Sequence, residues 1–300
     1  MAGQTATPDL IFTGGKTVPP DLQKVLAKVT EISSLPEVTA KIVEVVEDPR
    51  ATAHDMHEIV RSDPALAAKI LKVVNSAFYG LPSQIASLDR AIVMLGLSAV
   101  KNIALAASLS RLFKADAVSE QFAARDLWRH CIAVGVCARA LGKLTRVEEH
   151  DEAFVAGLVH DLGLIAAQQL FSDKVQEVAD VCLHEPQDFC AAEQRIIGAD
   201  HQLVGGALAA KWRFPAQLQY AVAFHHKPED VRPEYQRLTA ITHVADALCC
   251  RARLGFWLSA QTQELSESIL NLTGLTDEQL CMTLEQLPSL VKEAEMIFTD

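Results

Sequence analysis

Seven residues of types suited to metal chemistry stand out by their order and surroundings: His130, His160, Asp161, His201, His225, His226 and Asp246. The run FVAGLVHDLGL at residues 154–164 sets His160 beside Asp161 in the middle of an apolar stretch. Imidazole and carboxylate are costly to bury without partners. Two readings fit the pair: a satisfied polar spot in a core, or half of a metal site. Asp126 and His130 are four residues apart and share one helix face. His201 follows Asp200 at a predicted helix start, where the helix dipole favours neutral imidazole, the ligating form. His225 and His226 are adjacent at a predicted helix end, and Asp246 lies within the apolar helical run THVADAL.

Imidazole and carboxylate together suit iron, manganese or zinc. One carboxylate can bridge two metals, and two neighbouring metals can hold a phosphate and activate a water. Phosphoester hydrolysis is what such a set could do. Each residue alone is weak: a lone histidine is ordinarily structural or exposed. His54, His57, His150, His184 and His243 receive no site on this reading, and Asp126 also reads as an exposed helix residue. The order and spacing of the whole set carry the expectation.

These residues need a scaffold, and composition says what kind. Of 300 residues half are hydrophobic and 22% are charged, enough to bury a sizeable core. The net charge of -11 opposes nonspecific nucleic-acid binding. None of the seven cysteines forms a C-x-x-C pair, and most lie in apolar stretches, as expected of reduced, buried thiols in a cytosolic protein. The N-terminus lacks the basic-then-apolar pattern of a signal peptide. No uninterrupted apolar run reads as long enough to cross a bilayer. The expectation is a soluble cytoplasmic protein without membrane contact.

Helical periodicity dominates and strand alternation is nearly absent, which predicts an all-α fold. Residues 1–20 read as a loose tail and 21–115 as an N-terminal helical subdomain. Asp63, Ser87 and Ser98 read as helix caps, and Gly80 as a helix stop. KADAVSE at 114–120 is a polar interruption and the expected boundary. Residues 121–255 form a second helical subdomain, with predicted helices at 122–142, 151–170, 173–183, 188–197, 201–212, 216–225 and 235–252. Residues 262–300 read as a C-terminal helical tail.

WRHCIAVG, AGLVHDLG, DHQLVGG, AFHH and THVADAL, in that order, resemble successive helices of the HD superfamily of metal-dependent phosphohydrolases. LPEVTAKIVEVVED, SDPALAAKILKVVNSAFYGLP and SLDRAIVMLGLSAVKNIAL resemble the HDOD (HD-related output domain) branch over about residues 25–250. That resemblance implies an N-terminal helical subdomain packed on an HD-like bundle and a regulatory role in bacterial signal transduction, with other signalling proteins as partners. It also implies a divalent metal, iron or manganese before zinc, in one or two sites, and a nucleotide or phosphate ligand. His130, His160, Asp161 and Asp246 would form the first metal site. Asp161, His201, His225 and His226 would form the second, with Asp161 bridging and indispensable to any catalysis. Asp126 occupies the place of an additional acidic ligand in the related HD-GYP phosphodiesterases.

Two departures from HD-GYP enzymes oppose turnover. Leu164 stands where those enzymes carry a lysine, and HHKPEDVRPEY lacks their Gly-Tyr-Pro segment. Lys227 and Arg232 are the cations near enough in sequence to substitute. The expectation is an HDOD regulator with little or no hydrolysis. The alternatives are an active phosphohydrolase on a nucleotide or cyclic dinucleotide, and a purely structural interaction module.

Overall fold

The computed structural model describes residues 20–29, 32, 35–76, 79–109, 124–145, 150–185 and 187–298, and no strand occurs among them. The all-α expectation holds. The loose tail, apart from Pro20, and the boundary at 114–120 lie outside the described residues.

The first half contains α1 (Pro20–Val29), α2 (Glu37–Glu47), α3 (Ala53–Arg61), α4 (Pro64–Val74), α5 (Leu88–Leu95) and α6 (Leu97–Leu109). Every residue of α6 from Ala99 to Leu109 is buried, because α2, α4 and α5 pack around it. Local chemistry fixes the helix ends. Asp63 caps α4 by accepting from the Leu66 amide, with Pro64 in the first turn, and Ser87 caps α5 by accepting from Arg90. Ser98 is not a cap. It lies inside α6, which begins one residue earlier, after Gly96 at φ 88°. Gly80 (φ 61°) sits in a turn beyond the end of α4, where Asn75 takes the cap position. The Asn75 side chain closes that loop by donating to the Leu71 and Ile85 carbonyls and accepting from the Ile85 amide at 2.6 Å.

The second half contains α7 (Ala124–Leu144), α8 (His150–Val159), α9 (Leu162–His184), α10 (Phe189–Ile196), α11 (His201–Lys211), α12 (Ala216–Phe224) and α13 (Pro233–Arg251). The helix expected at 151–170 is broken at His160–Asp161, and its second part runs on through 173–183 as α9, with a kink at Phe171. The stretch His150–His184 is long and apolar enough to span a membrane, contrary to the sequence reading, but it is mostly buried inside the protein. It serves here as core.

Helix α6 packs on α8 and joins the halves. Beside that contact the Tyr79 hydroxyl donates to Asp151 Oδ1 (3.1 Å), as does Arg139 Nε (2.6 Å), and the Arg139 guanidinium lies 4.3 Å from the Tyr79 ring centre. Tyr79 therefore packs at the junction of the two halves.

Two further helices, α14 (Glu267–Thr273) and α15 (Asp277–Phe298), end the chain. The expected tail is part of the core. Helix α15 packs on α7 and touches α4, burying Leu287, Val291, Ala294 and Phe298. The Phe298 carbonyl accepts from both Trp128 Nε1 and Lys69 Nζ, and its ring meets Phe154 at 5.6 Å. Leu287 is fully buried. Leu287→Ala is expected to cost about 2–5 kcal/mol, read as a lower midpoint in urea unfolding. A change below about 0.5 kcal/mol would show α15 to be dispensable.

Candidate metal centre

The centre starts from a helix cap that does not cap. Asp161 occupies the N-cap of α9, where an Asp ordinarily accepts a hydrogen bond from an amide in the first turn. Asp63, Asp188 and Asp200 all do so on their helices. Asp161 makes no such bond, and neither carboxylate oxygen has a hydrogen-bond partner although the residue is fully buried. The break between α8 and α9 explains this. Adjacent residues on a continuous helix point to different faces. Ending the helix at Val159 lets His160 and Asp161 turn to one point. His225 and His226 use the same device just after α12 ends.

Five histidines surround the two carboxylates. Asp161 Oδ2 lies 3.3 Å from His160 Nε2 and 3.7 Å from His130 Nε2. Its other oxygen, Oδ1, lies 3.5 Å from His201 Nε2 and 3.7 Å from His225 Nε2. Each oxygen thus faces one of the two residue sets expected from the sequence. Asp246 on α13 sits 3.1 Å from His130 Nε2 and 3.7 Å from His160 Nε2 through Oδ1, and 3.8 Å from His226 Nδ1 through Oδ2. His201 Nε2 approaches His225 Nε2 at 3.2 Å and His226 Nε2 at 3.1 Å. The structure brings together all seven residues singled out, and it buries all seven.

The outward ring nitrogens fix the tautomers. His130, His160 and His225 each place Nδ1 against a backbone carbonyl, of Leu254 (3.3 Å), Gly157 (2.7 Å) and Val222 (3.0 Å). A carbonyl only accepts, so these Nδ1 atoms donate. In the neutral rings, Nε2 then carries a lone pair aimed inward. Lone pairs facing carboxylate oxygens and each other require positive charge among them, from protons or a metal. Donor atoms sharing one metal at about 2.1 Å sit roughly 3.0–3.5 Å apart, close to the spacings seen. His160 Nε2, both Asp161 oxygens, His226 Nδ1 and Asp246 Oδ2 are buried without hydrogen-bond partners. The donor set therefore fits a divalent metal.

Charge within the cluster follows from the same geometry. Burial opposes a charged His160, but Asp161 and Asp246 outweigh it and raise its pKa to about 10. Burial, reinforced by the charge on His160 and His201, lowers His225 to about 3. Burial likewise disfavours the Asp161 anion, yet the surrounding histidines hold its pKa well below the ordinary carboxylate range. His201 departs from expectation. The helix dipole at its N-terminal position favours neutral imidazole, and burial adds to that, but Glu193 raises the pKa well above its usual value. Glu193 Oε2 accepts from His201 Nδ1 at 2.6 Å and from its backbone amide at 2.9 Å. A carboxylate one bond from the dipole's end outweighs it.

Sequence reasoning missed Glu193. The available signal was its place beside Phe189, Cys190 and Ala192 on the buried face of α10, where a carboxylate needs a partner. It also left His243 without a role. His243 is buried on α13 and its Nδ1 donates to the His225 carbonyl at 2.7 Å. Gln202 accepts from the His226 amide at 2.9 Å, and the Cys250 thiol donates to Asp246 Oδ1 at 3.3 Å. Asp126 does not join the set. It is half-buried, belongs to none of the metal-capable groups, and its backbone carbonyl is taken by the Phe256 amide. Lys227 and Arg232 are exposed, and Leu164 is fully buried, so none of the three brings a cation to the cluster. Of the remaining histidines, His54 and His184 are exposed and His57 pairs with Asp89.

Glycines set how closely the ligand-bearing helices approach. A Cβ on Gly163 would meet the His201 carbonyl at 1.8 Å, and one on Gly157 would meet the Val134 carbonyl at 2.7 Å. The first contact places the start of α9 against the start of α11, and so Asp161 against His201.

An all-helical bundle closed around a buried His and Asp cluster defines an HD-like protein. The chain belongs to the HDOD family, whose domain matches residues 32–228. It superposes on an HDOD domain protein with unknown function from Geobacter sulfurreducens at a TM-score of 0.74 and 22% identity, covering 92% of this chain and 99% of the other. A Marinobacter aquaeolei VT8 protein assigned provisionally to signal transduction gives 0.71 at 19% identity, over 95% of this chain and 63% of that one. A Shewanella amazonensis SB2B protein assigned provisionally as a phosphohydrolase gives 0.69 at 23% identity, over 92% and 97%. At these identities the likeness is one of fold. An uncharacterized protein of Treponema pallidum (strain Nichols) is 23% identical over 271 residues, and the chain spans about half of its length (51%).

Gly163→Ala is expected to force α9 from α11 and lower stability by about 1–3 kcal/mol, measured by thermal melting. A melt indistinguishable from the parent protein's would mean that the contact is not tight.

Proposed function

We propose that this chain is a regulatory HDOD protein of bacterial signal transduction whose His and Asp cluster binds a divalent metal, singly or as a pair, with little or no phosphohydrolase turnover. The observation that carries this reading is the buried convergence of seven N and O donors with partnerless inward atoms. Imidazole and carboxylate suit iron, manganese or zinc, and the resemblance to the HD superfamily favours the first two. In this reading His130, His160, Asp161 and Asp246 hold one metal. His201, His225 and His226 hold a second, and Asp161 spans both. Asp126 is left out. We place the protein in the cytoplasm, in keeping with its seven free cysteines, six of them buried.

A bound divalent metal would supply Lewis acidity and lower the pKa of a coordinated water. The chain's own residues do the positioning. Glu193 holds the His201 ring, the backbone carbonyls hold His130, His160 and His225, and the packed helices exclude solvent. The same packing argues for binding over turnover. His130, His160, Asp161, His201, His225 and Asp246 have no exposed surface, so a substrate phosphate reaches them only if a helix end moves. Losing one preorganised charge contact costs about 10²–10³ in rate, and Leu164 removes the lysine of HD-GYP enzymes. The natural partners are then other signalling proteins, with a nucleotide or phosphate as ligand. The completeness of the donor set favours one second reading, an active phosphohydrolase on a nucleotide or cyclic dinucleotide.

The iron- and manganese-loaded protein is expected to show no turnover of nucleotides and phosphodiesters above an Asp161→Ala control. Brisk turnover abolished by that substitution would establish the phosphohydrolase instead. Glu193→Gln is expected to weaken metal binding about 10–100-fold in a manganese titration followed by electron paramagnetic resonance. Unchanged affinity would remove Glu193 from the centre. Without metal, His160 keeps its proton up to about pH 10, so binding must displace it. Apparent affinity is therefore expected to rise with pH, by about tenfold per unit for each proton released, and to fall on acidification.

A further inference from the structure

A cleft of about 520 Å³ opens between α1, the kink of α9 and the end of α10, away from the metal centre's ligands. Four of its lining side chains are cationic: Lys24, Lys28, Lys174 and Arg195. None of the described lining residues carries a carboxylate. This is unusual placement in a chain of net charge -11, whose overall field repels anions. Lys24 and Lys28 stand four apart on one face of α1, a like-charge spacing that disfavours the helix.

The cleft is also held in shape. Helix α9 leaves helical geometry at Phe171 (φ -145°, ψ 41°), and the Lys28 ammonium lies 4.7 Å from the Phe171 ring centre. Lys174 Nζ donates to the Ile196 carbonyl at the end of α10 (2.9 Å), fixing that wall. Arg195 on α10 is exposed, and its planar donor fork suits phosphate oxygens. The volume falls in the roughly 300–1,000 Å³ range of small-ligand sites.

We infer that this cleft binds a small polyphosphate anion, a pyrophosphate group either alone or carried by a nucleotide. Four cations in a confined cleft match the charge of linked phosphates better than that of a single carboxylate. The site is independent of metal at the His and Asp cluster, although α10 also carries Glu193, which holds His201. An anion seated here would therefore bear on a helix that supports the centre.

The test is isothermal titration of the full chain with pyrophosphate and, separately, with ATP, in buffer containing EDTA so that no bound metal can capture phosphate. Saturable binding that weakens as salt rises is expected. Arg195→Glu and Lys28→Glu are each expected to reduce affinity by about tenfold or more, while Lys292→Glu, exposed on α15 and outside the cleft, leaves it unchanged. ATP binding more tightly than pyrophosphate would identify a nucleotide as the ligand, and equal affinities would mean that the phosphates suffice. No saturable binding, or binding indifferent to both cleft substitutions, would overturn the inference.

Discussion

Two carboxylates and five imidazoles share one buried point in the bundle, and five of their inward atoms, both Asp161 oxygens among them, find no hydrogen-bond partner there. The Nδ1 hydrogens of His130, His160 and His225 are committed outward to carbonyls, and that of His201 to Glu193. What remains inside is a ring of lone pairs and anionic oxygens at 3.1–3.8 Å. Such a group stays buried only if positive charge enters it. Protons can supply that charge in part, as the raised pKa of His160 beside Asp161 and Asp246 reflects. The inward donors fall into groups of three close enough to hold a divalent metal, which would add the rest.

The architecture around this point serves it. Two breaks, after α8 and after α12, let adjacent residues face the same way. Gly163 and Gly157 bring α9 onto α11 and α8 onto α7 at distances that a methyl group would forbid. Asp246 and His130 come from the two long helices α13 and α7, which pack side by side. Helix α15 seals α7 from outside, and α6 ties the first half to α8. Residues far apart in the chain thus meet because their helices have few other ways to bury their apolar faces.

Much of this was legible in the sequence because each ligand residue violates its surroundings. His160–Asp161 in an apolar run and Asp246 in THVADAL are polar groups where periodicity demands core, so they had to face something polar. The helix break was harder to read. Nothing in FVAGLVHDLGL except its glycines distinguishes a continuous helix from two, and only the need for adjacent side chains to converge decides it. Glu193 stayed hidden because a lone glutamate on a helix is ordinarily solvated, and its partner His201 lies beyond the helix end. Asp126 misled for the opposite reason. Sharing a helix face with His130 places it one turn away, but the Phe256 amide donates to the Asp126 carbonyl at 3.0 Å, so the segment following α13 covers that turn. Ser98 failed as a cap because Gly96 already ends the preceding helix, so α6 starts before the serine is reached.

On the proposed reading, a divalent metal held at this buried centre would contribute to the stability of the fold itself. Metal analysis by plasma mass spectrometry, on protein purified without chelator or added metal and compared with Asp161→Ala, addresses this most directly. The account requires about one to two equivalents of iron or manganese per chain, lost together with thermal stability in the substituted protein. Parent protein free of metal, with a melting temperature that neither iron nor manganese raises, would contradict it.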